Sequence, residues 1–251
     1  MYRHGAWIVV LWACLFFLSG CNRKPMVYET LGDMIHHLPL DEEARVFLLE
    51  SDVPTPYFVL DEDDDGCCML LRERLLDEVM RYSIDPEVSG YYEDSIIDHF
   101  LVEEFPTRFS TVLRKAITET DVVITDIESI GSCGTEMKSI RRQFFLLSYE
   151  QVGGAKARVC PAEGTRLKRL GSKQLMAQTD SGISSGWWLR TPNTWYVDMV
   201  NVVSQDGGIG GHFTGTQSED IRMGVRPALR LRADTPIYSG EGGYHIRENG
   251  L

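Results

Sequence analysis

The sequence is short of basic residues and of cysteines, and each shortage excludes a class of function. Its 251 residues include 25 Lys and Arg against 37 Asp and Glu, which gives a net charge of −12. Proteins that bind nucleic acid present a basic face to the phosphates, so we predict no nucleic-acid partner. The six cysteines form no CxxC pair and have no histidine at a zinc-binding spacing. We therefore predict no metal site and no cofactor.

The N-terminal apolar run is shorter than the about 20 residues that a membrane-spanning helix needs. Arg3 and His4 precede this run at residues 6–17, and Leu-Ser-Gly-Cys follows it at residues 18–21. This order is typical of a secretory signal peptide that ends in a lipobox. We predict that the signal peptide spans residues 1–20 and that its removal leaves a lipid-bearing Cys21. The protein is then anchored to the cell envelope.

The charge balance leaves the lipid as the expected membrane contact. Loss of the signal peptide removes Arg3 and no acidic residue, so the net charge goes from −12 to −13. Such an acidic chain is repelled by anionic lipid, and the acyl chains on Cys21 must hold it. Asn22 follows the lipidated cysteine where an Asp would indicate retention at the inner membrane. We expect the outer membrane if the bacterium has two.

Four thiols remain after removal of the signal peptide and lipidation, in a compartment that favours disulfides. Cys67 and Cys68 are adjacent, and a bond between them would close a strained ring. Cys133 and Cys160 are therefore the pair that we would test first for a disulfide.

Local patterns divide the mature chain into three parts. Residues 21–52 read as a tether followed by a small helix, with acids at 41–43 and apolar residues Val46, Phe47 and Leu49. Residues 53–235 form the main domain, and the Gly-rich residues 236–251 form a tail that adds a hairpin. Within the main domain, Asp65-Gly66 is a hairpin turn between apolar runs at 57–60 and 68–71. An amphipathic helix starting at Asp94 or Ser95 runs to residue 105, and a second helix covers 109–117.

The C-terminal half of the main domain reads as strands. Runs at 121–127 and 144–147 are apolar, residues 195–204 alternate, and Asp206-Gly207 is a second hairpin turn. Alternation places one of Trp187 and Trp188 in the core. We expect two paired strands to bury indoles and to hold guanidinium groups against backbone carbonyls and acids. The residues to which we assign this structural role are Trp187, Trp188, Arg190, Arg226 and Pro227.

Two charged segments imitate binding sites. Asp61, Asp63 and Asp65 match the start of a calcium-binding EF-hand loop, but Arg72 stands where the loop needs its bidentate Glu. An exposed acidic turn is the better interpretation. Basic residues gather between 156 and 173, where they could bind an anionic glycan or an acidic partner. A solvated loop is the stronger expectation there.

One short sequence motif is typical of an enzyme. Residues 182–186 read G-x-S-x-G, and Asp198 and His212 follow Ser184 in the chain order of an α/β-hydrolase triad. A nucleophile elbow needs an apolar strand before the serine and a helix after it. Polar residues precede Ser184 and a Trp-containing strand follows it, so we assign no catalytic residue.

The strand motifs resemble an uncharacterised domain family of bacterial secreted and surface proteins, whose members share a hairpin, a helix, and FLLS, WWLR and GVRPAL strands. The match covers residues 57–105, 144–150 and 186–231. Their order looks like the C-type-lectin-like fold in its sulfatase-modifying-factor form. The resemblance implies an α+β fold, with a mixed sheet, one or two flanking helices and long irregular loops that present a ligand surface. It does not imply a particular ligand.

Two departures narrow what the resemblance implies. Calcium-dependent lectins place an acid before the Pro-Asn pair, whereas Thr191 precedes Pro192-Asn193 here. Formylglycine-generating relatives use a pair of C-terminal cysteines, and this chain has none after Cys160.

We therefore predict a lipid-anchored envelope protein with a non-catalytic domain that binds a glycan or a surface protein. The expected contact residues are aromatics beside amides, which suit stacking on sugars or packing on a peptide: Asn193, Trp195, Tyr196, His212, Phe213 and Gln217. One alternative is an envelope enzyme acting on a wall or surface polymer. Another is a structural subunit of a surface assembly.

Overall fold

The computed structural model describes residues 27–83, 87–155, 157–214 and 221–251. The predicted signal peptide, Cys21 and Gln217 lie outside the described residues. Within them, the chain contains no helix with the length and apolar character needed to cross a membrane.

The described chain is an α+β protein, which confirms the expected class. Its strands are β1 (Arg45–Glu50), β2 (Val53–Glu62), β3 (Cys67–Arg72), β4 (Thr120–Thr125), β5 (Met137–Arg142), β6 (Phe144–Phe145), β7 (Trp187–Pro192), β8 (Met199–Val203), β9 (Ile209–Phe213), β10 (Ala228–Arg232), β11 (Ile237–Gly240) and β12 (Gly243–Ile246). Its α-helices are α1 (Leu31–His37), α2 (Ile96–His99), α3 (Thr111–Ala116) and α4 (Ser172–Leu175).

Seven strands form the main sheet in the order β11-β12-β1-β2-β3-β10-β6. Neighbours are antiparallel except β1 and β12, which run parallel. The sheet therefore contains one strand from the segment 21–52 and the whole tail hairpin. Two smaller sheets, β4-β5 and β7-β8-β9, complete the strand layers.

The predicted helix with acids at 41–43 is wrong, because residues 45–50 form strand β1. Val46 and Leu48 are buried and Leu49 is exposed, which is the two-residue period of a strand. Pairing with β2 on one side and β12 on the other decides the conformation. The helix of this region is α1, where the Thr30 side chain accepts a hydrogen bond from the Asp33 N–H group.

The predicted turns are confirmed by the strand pairing. Gly66 (φ 71°) lies between β2 and β3, and Gly207 (φ 84°) lies between β8 and β9. Both glycines adopt the left-handed conformation that these tight turns require. The tail hairpin pairs β11 with β12.

The predicted helix at 94–105 begins as expected but changes its winding. Ser95 caps α2 by accepting the Asp98 N–H group at 3.1 Å. After α2 the chain forms a π-helical turn at Phe100–Glu104 and a 3-10 turn at Phe105–Arg108. Ile97, Leu101 and Phe105 remain fully buried on one face.

Both tryptophans of β7 are fully buried, so the expectation that only one enters the core is wrong. Each face of β7 is covered by protein. The Trp187 indole N–H donates to the Leu175 carbonyl at 2.9 Å, and that of Trp188 donates to Met80 at 2.8 Å. Trp188 N–H also donates to the Gly224 carbonyl, which links β7 to the segment before β10.

Arg226 joins three parts of the core. Its guanidinium donates to the carbonyls of Arg72, Glu73 and Gln174 at 2.6 to 2.8 Å and lies 5.1 Å from a Trp187 ring. Burial lowers the pKa of Arg226 to about 9, so it stays charged at neutral pH. Next to it, the Pro227 carbonyl accepts the Arg72 N–H group.

Arg190 of β7, like Arg226, donates hydrogen bonds to several backbone carbonyls. Its guanidinium donates to the carbonyls of Val123, Leu146 and Glu163 and to the Gln151 side chain. The Glu163 carboxylate is completely buried and accepts hydrogen bonds from Thr125 and Thr191. Its burial raises the pKa of Glu163, while the nearby Arg190 charge opposes that shift.

The expected Cys133–Cys160 disulfide is absent, since all four thiols of the described chain are free. The backbones come close, because Cys133 N–H donates to Thr194 and Thr194 N–H donates to Val159. The side chains differ in environment. Cys133 is exposed in a left-handed turn, whereas the Cys160 sulfur lies against the Asn201 amide.

The Arg226 contacts predict a large loss of stability on substitution. Arg226→Met leaves three carbonyls without their donor and should lower the free energy of unfolding by about 3–5 kcal/mol, measured by urea denaturation. Arg226→Lys keeps the charge but not the planar fork, and should lose most of the same stability. The control is Arg232→Met, an exposed residue of β10, which should change little. Equal effects at the two positions would contradict this role.

Candidate ligand-binding surface

The connection between β7 and β8 is an ordered turn. Asn193 Oδ1 accepts the Trp195 N–H group at 3.0 Å, and the Asn193 carbonyl accepts the Tyr196 N–H group at 3.2 Å. Asn193 N–H donates to Met199. The alternating strand predicted from residue 195 therefore begins only at Met199, because the Asn193 side chain offers the backbone a turn instead.

This turn exposes large apolar side chains. The exposed fractions are 56% for Trp195, 47% for Tyr196, 39% for Val197 and 46% for Phe213. The Tyr196 and Phe213 rings meet edge to face with centroids 6.0 Å apart. We call Asn193, Trp195, Tyr196, Val197 and Phe213 the aromatic surface.

Phe213 joins the aromatic surface from strand β9. It pairs with Met199 in the three-stranded sheet. Gly211 lies two residues before it on the same strand face, and a Cβ atom at Gly211 would be 3.8 Å from Asn193 Nδ2. The turn and the end of β9 therefore present one continuous face.

Neighbouring segments hold the turn from below. Gly90 N–H donates to the Val197 carbonyl at 2.8 Å, and Cys133 N–H donates to the Thr194 carbonyl at 3.0 Å. Thr194 N–H donates to Val159 at 2.9 Å, and Thr194 itself is fully buried. With its backbone bonded in this way, the turn presents Trp195 and Tyr196 with little further loss of backbone freedom on binding.

Two glycines allow this close approach. A Cβ atom at Gly90 would lie 2.9 Å from the Met199 carbonyl oxygen, and one at Gly131 would lie 2.7 Å from Val197 Cγ1. Gly131 also has a left-handed backbone, with φ 77°. No local pattern in the sequence marks either glycine, because their partners are distant in the chain.

Asn193 carries the polar group of the surface. Its Oδ1 atom is engaged in the turn, while Nδ2 has no hydrogen-bond partner among the described residues. A donor beside two exposed rings is the arrangement expected for contact with a hydroxyl or carbonyl of a ligand.

His212 does not join the aromatic surface. It neighbours Phe213 on β9 and therefore points to the opposite face of the strand. Its ring lies edge to face with the buried Trp188 at 6.4 Å, and its Nδ1 atom is 2.8 Å from the Phe213 carbonyl. Alternation along β9 would have separated the two residues at the sequence level.

The three candidate catalytic residues are not hydrogen-bonded to one another in the described structure. Ser184 Oγ accepts a hydrogen bond from Gln178 at 3.2 Å. The Asp198 carbonyl accepts both the N–H and the hydroxyl of Thr214. In the described ranges, His212 forms no hydrogen bond with Ser184 or Asp198, and no three His, Cys, Asp or Glu side chains gather at a metal-binding distance.

A family model described as a domain of unknown function, DUF6273, matches residues 65–233. This is more than half of the chain, and the chain therefore belongs to that family. The matched range includes the aromatic surface. Neither the comparison with curated proteins nor the comparison with solved structures finds a match.

The close contact at Gly90 predicts that a single methyl group disturbs the turn. Gly90→Ala should lower the free energy of unfolding by about 1–3 kcal/mol through overpacking against the Met199 carbonyl. It should also speed amide hydrogen exchange at residues 193–198. The control is Gly210→Ala in β9, where the added methyl meets no atom within 4 Å. Unchanged stability and exchange in Gly90→Ala would contradict the proposed support.

Proposed function

We propose that the protein is a lipid-anchored component of the cell envelope whose domain binds a glycan without catalysis. One observation carries the proposal. Trp195 and Tyr196 are half-exposed on a turn whose backbone is hydrogen-bonded to three separate segments, and the half-exposed Phe213 of β9 lies beside them. Aromatic rings held in this way bind ligands at little entropic cost.

The composition of the aromatic surface favours a sugar over a peptide. Sugars stack their C–H faces on exposed rings and offer hydroxyls to amides, and Asn193 Nδ2 is available beside Trp195. A contiguous group of exposed apolar side chains is also the usual mark of an interaction site on a soluble domain. A surface protein is the second ligand class that the same rings would serve.

The buried residues of β7 and of the segment before β10 indicate a finer assignment of the fold. We propose a C-type-lectin-like arrangement, supported by the burial of the Trp187-Trp188 pair in β7 and of Arg226 in the segment before β10, which bridges to β7 at Gly224. Proteins with that fold bind ligands on irregular connections between strands, and the turn at 193–198 is an irregular connection between β7 and β8. Sugar binding through calcium is not part of the proposal, because Thr191 stands where the acid is needed.

Substitutions on the aromatic surface test the binding site. Trp195→Ala, Tyr196→Ala and Phe213→Ala should each weaken binding to a glycan captured in an array screen by about tenfold or more. The matched control is Tyr238→Ala, since Tyr238 is 43% exposed on β11 in the other sheet. Affinities are measured by isothermal titration.

The outcomes of this screen are distinct. Wild-type affinity in all three variants would remove the aromatic surface as the site. Binding of an envelope protein, and of no glycan, with the same loss in the variants would keep the site and replace the ligand class.

Substitution at the lipobox tests the anchor. Cys21→Ser should abolish incorporation of labelled palmitate and shift the protein out of the membrane fraction, because the thioether to lipid cannot form. Cys14→Ser, in the apolar part of the signal peptide, is the control and should be labelled like the wild type. Equal labelling of both variants would rule out Cys21 as the lipid site.

A further inference from the structure

A cleft lies outside the aromatic surface and shares no residue with it. It is a cleft of about 490 Å³ between the β2–β3 turn, the edge of β4 and the segment 163–168. That volume is within the range of small-molecule sites, about 300–1,000 Å³. We call it the charged cleft.

Apolar residues of three strands form part of the wall of the charged cleft. Met69, Val122 and Phe145 line it from three different strands. Arg190 and Glu163 also line the cleft, but their charges and hydrogen bonds are satisfied within the protein. The buried pair therefore fixes the shape of the cleft and is not available to a ligand.

Part of the acidic turn is also used internally. Asp61 accepts the Lys168 N–H group at 2.6 Å, which ties the basic segment to β2. Asp63 accepts the N–H groups of Asp65 and Cys67 and pairs with the Arg230 guanidinium. These contacts position the rims of the cleft and leave other charges uncommitted.

Four charged side chains that line the cleft have no internal partner. They are exposed, and in the described part of the chain none takes part in an ion pair: Asp64, Asp121, Arg166 and Lys168. Two are anionic and two are cationic. A ligand of a single charge would be attracted by one pair and repelled by the other.

The acids do not gather for a metal ion. Although Asp61, Asp63 and Asp65 resemble a calcium loop in sequence, no group of three or more ligating side chains in the described chain is suited to a metal. Asp64 and Asp121 are therefore better matched to an organic ammonium group, whose N–H donors can pair with carboxylates that lie apart.

We propose that the charged cleft binds a zwitterionic ligand of the amino-acid or short-peptide class. Arg166 and Lys168 hold its carboxylate, Asp64 and Asp121 hold its ammonium group, and an apolar side chain rests on the half-buried Met69. The cleft explains why a basic segment occurs in an acidic protein: it supplies the charge that the acidic rim lacks. The site is independent of the proposed glycan binding.

Peptides with blocked ends test the assignment. The probe is Ala-Leu-Ala with free termini, titrated by calorimetry against the full-length protein in detergent. The N-acetyl and C-amide forms each remove one terminal charge and should each bind about tenfold more weakly or worse. Equal affinity for free and blocked peptides, or no binding up to about 10 mM, would overturn the proposal.

Charge-neutralising pairs assign each rim. Arg166→Gln with Lys168→Gln should abolish the preference for a free carboxylate, and Asp64→Asn with Asp121→Asn should abolish that for a free amine. Matched controls are the exposed residues Lys173→Gln and Asp52→Asn, which do not line the cleft. Wild-type preferences in both double variants would refute the assignment.

A variant of the other site keeps the two hypotheses apart. Trp195→Ala should bind the tripeptide like the wild type, since Trp195 does not line the charged cleft. A loss of tripeptide binding in Trp195→Ala would place the peptide on the aromatic surface and overturn the cleft proposal.

Discussion

The structure depends on buried guanidinium groups that bond to backbone carbonyls. Arg226 donates to three carbonyls from two separate segments while its flat face lies against Trp187. A buried carbonyl without a donor costs about 1–3 kcal/mol, and irregular connections contain many of them. One planar fork satisfies several at once, which a hydrophobic residue cannot do.

The same solution recurs where other irregular segments meet the sheets. Arg190 serves the carbonyls around β4 and β6, and Arg169 donates to Ile35, Leu38 and Pro39 at the end of α1. Arg72 links Glu50 on β1 to Asp180 in a loop. A protein with short helices and long connections is thus held together by arginines that reach across segments. Strand β7, which leads into the turn of the aromatic surface, is held in this manner by Arg190.

The sequence predicted what is local. Hairpin turns at Gly66 and Gly207, the Ser95 cap and the general α+β class all follow from neighbours in the chain, and the structure agrees. What failed depended on the partners of a segment. Residues 45–50 pair with β2, which follows directly in the chain, and with β12, which lies about two hundred residues away, although their local pattern indicates a helix. Strand β7 is buried on both faces because unrelated segments cover it.

The residues of the candidate site were likewise predicted only in part. Trp195, Tyr196 and Phe213 were identified from residue type, and the structure brings them to one face. His212 was placed with them because it is adjacent in sequence, although strand alternation turns it toward Trp188. The charged cleft could not be predicted, since its acidic and basic residues come from three separate parts of the chain and each part alone resembles a solvated segment.

The parallel pairing of β1 with β12 sets the order in which the chain can complete its main sheet. Val46 pairs with Tyr244, so nearly the whole domain must be synthesised before β1 finds its second neighbour. Until then β1 has an edge of unsatisfied backbone groups, which is the kind of edge that recruits strands from other chains. The sheet edge at β1 therefore stays open to other strands until β12, which covers it, has been synthesised.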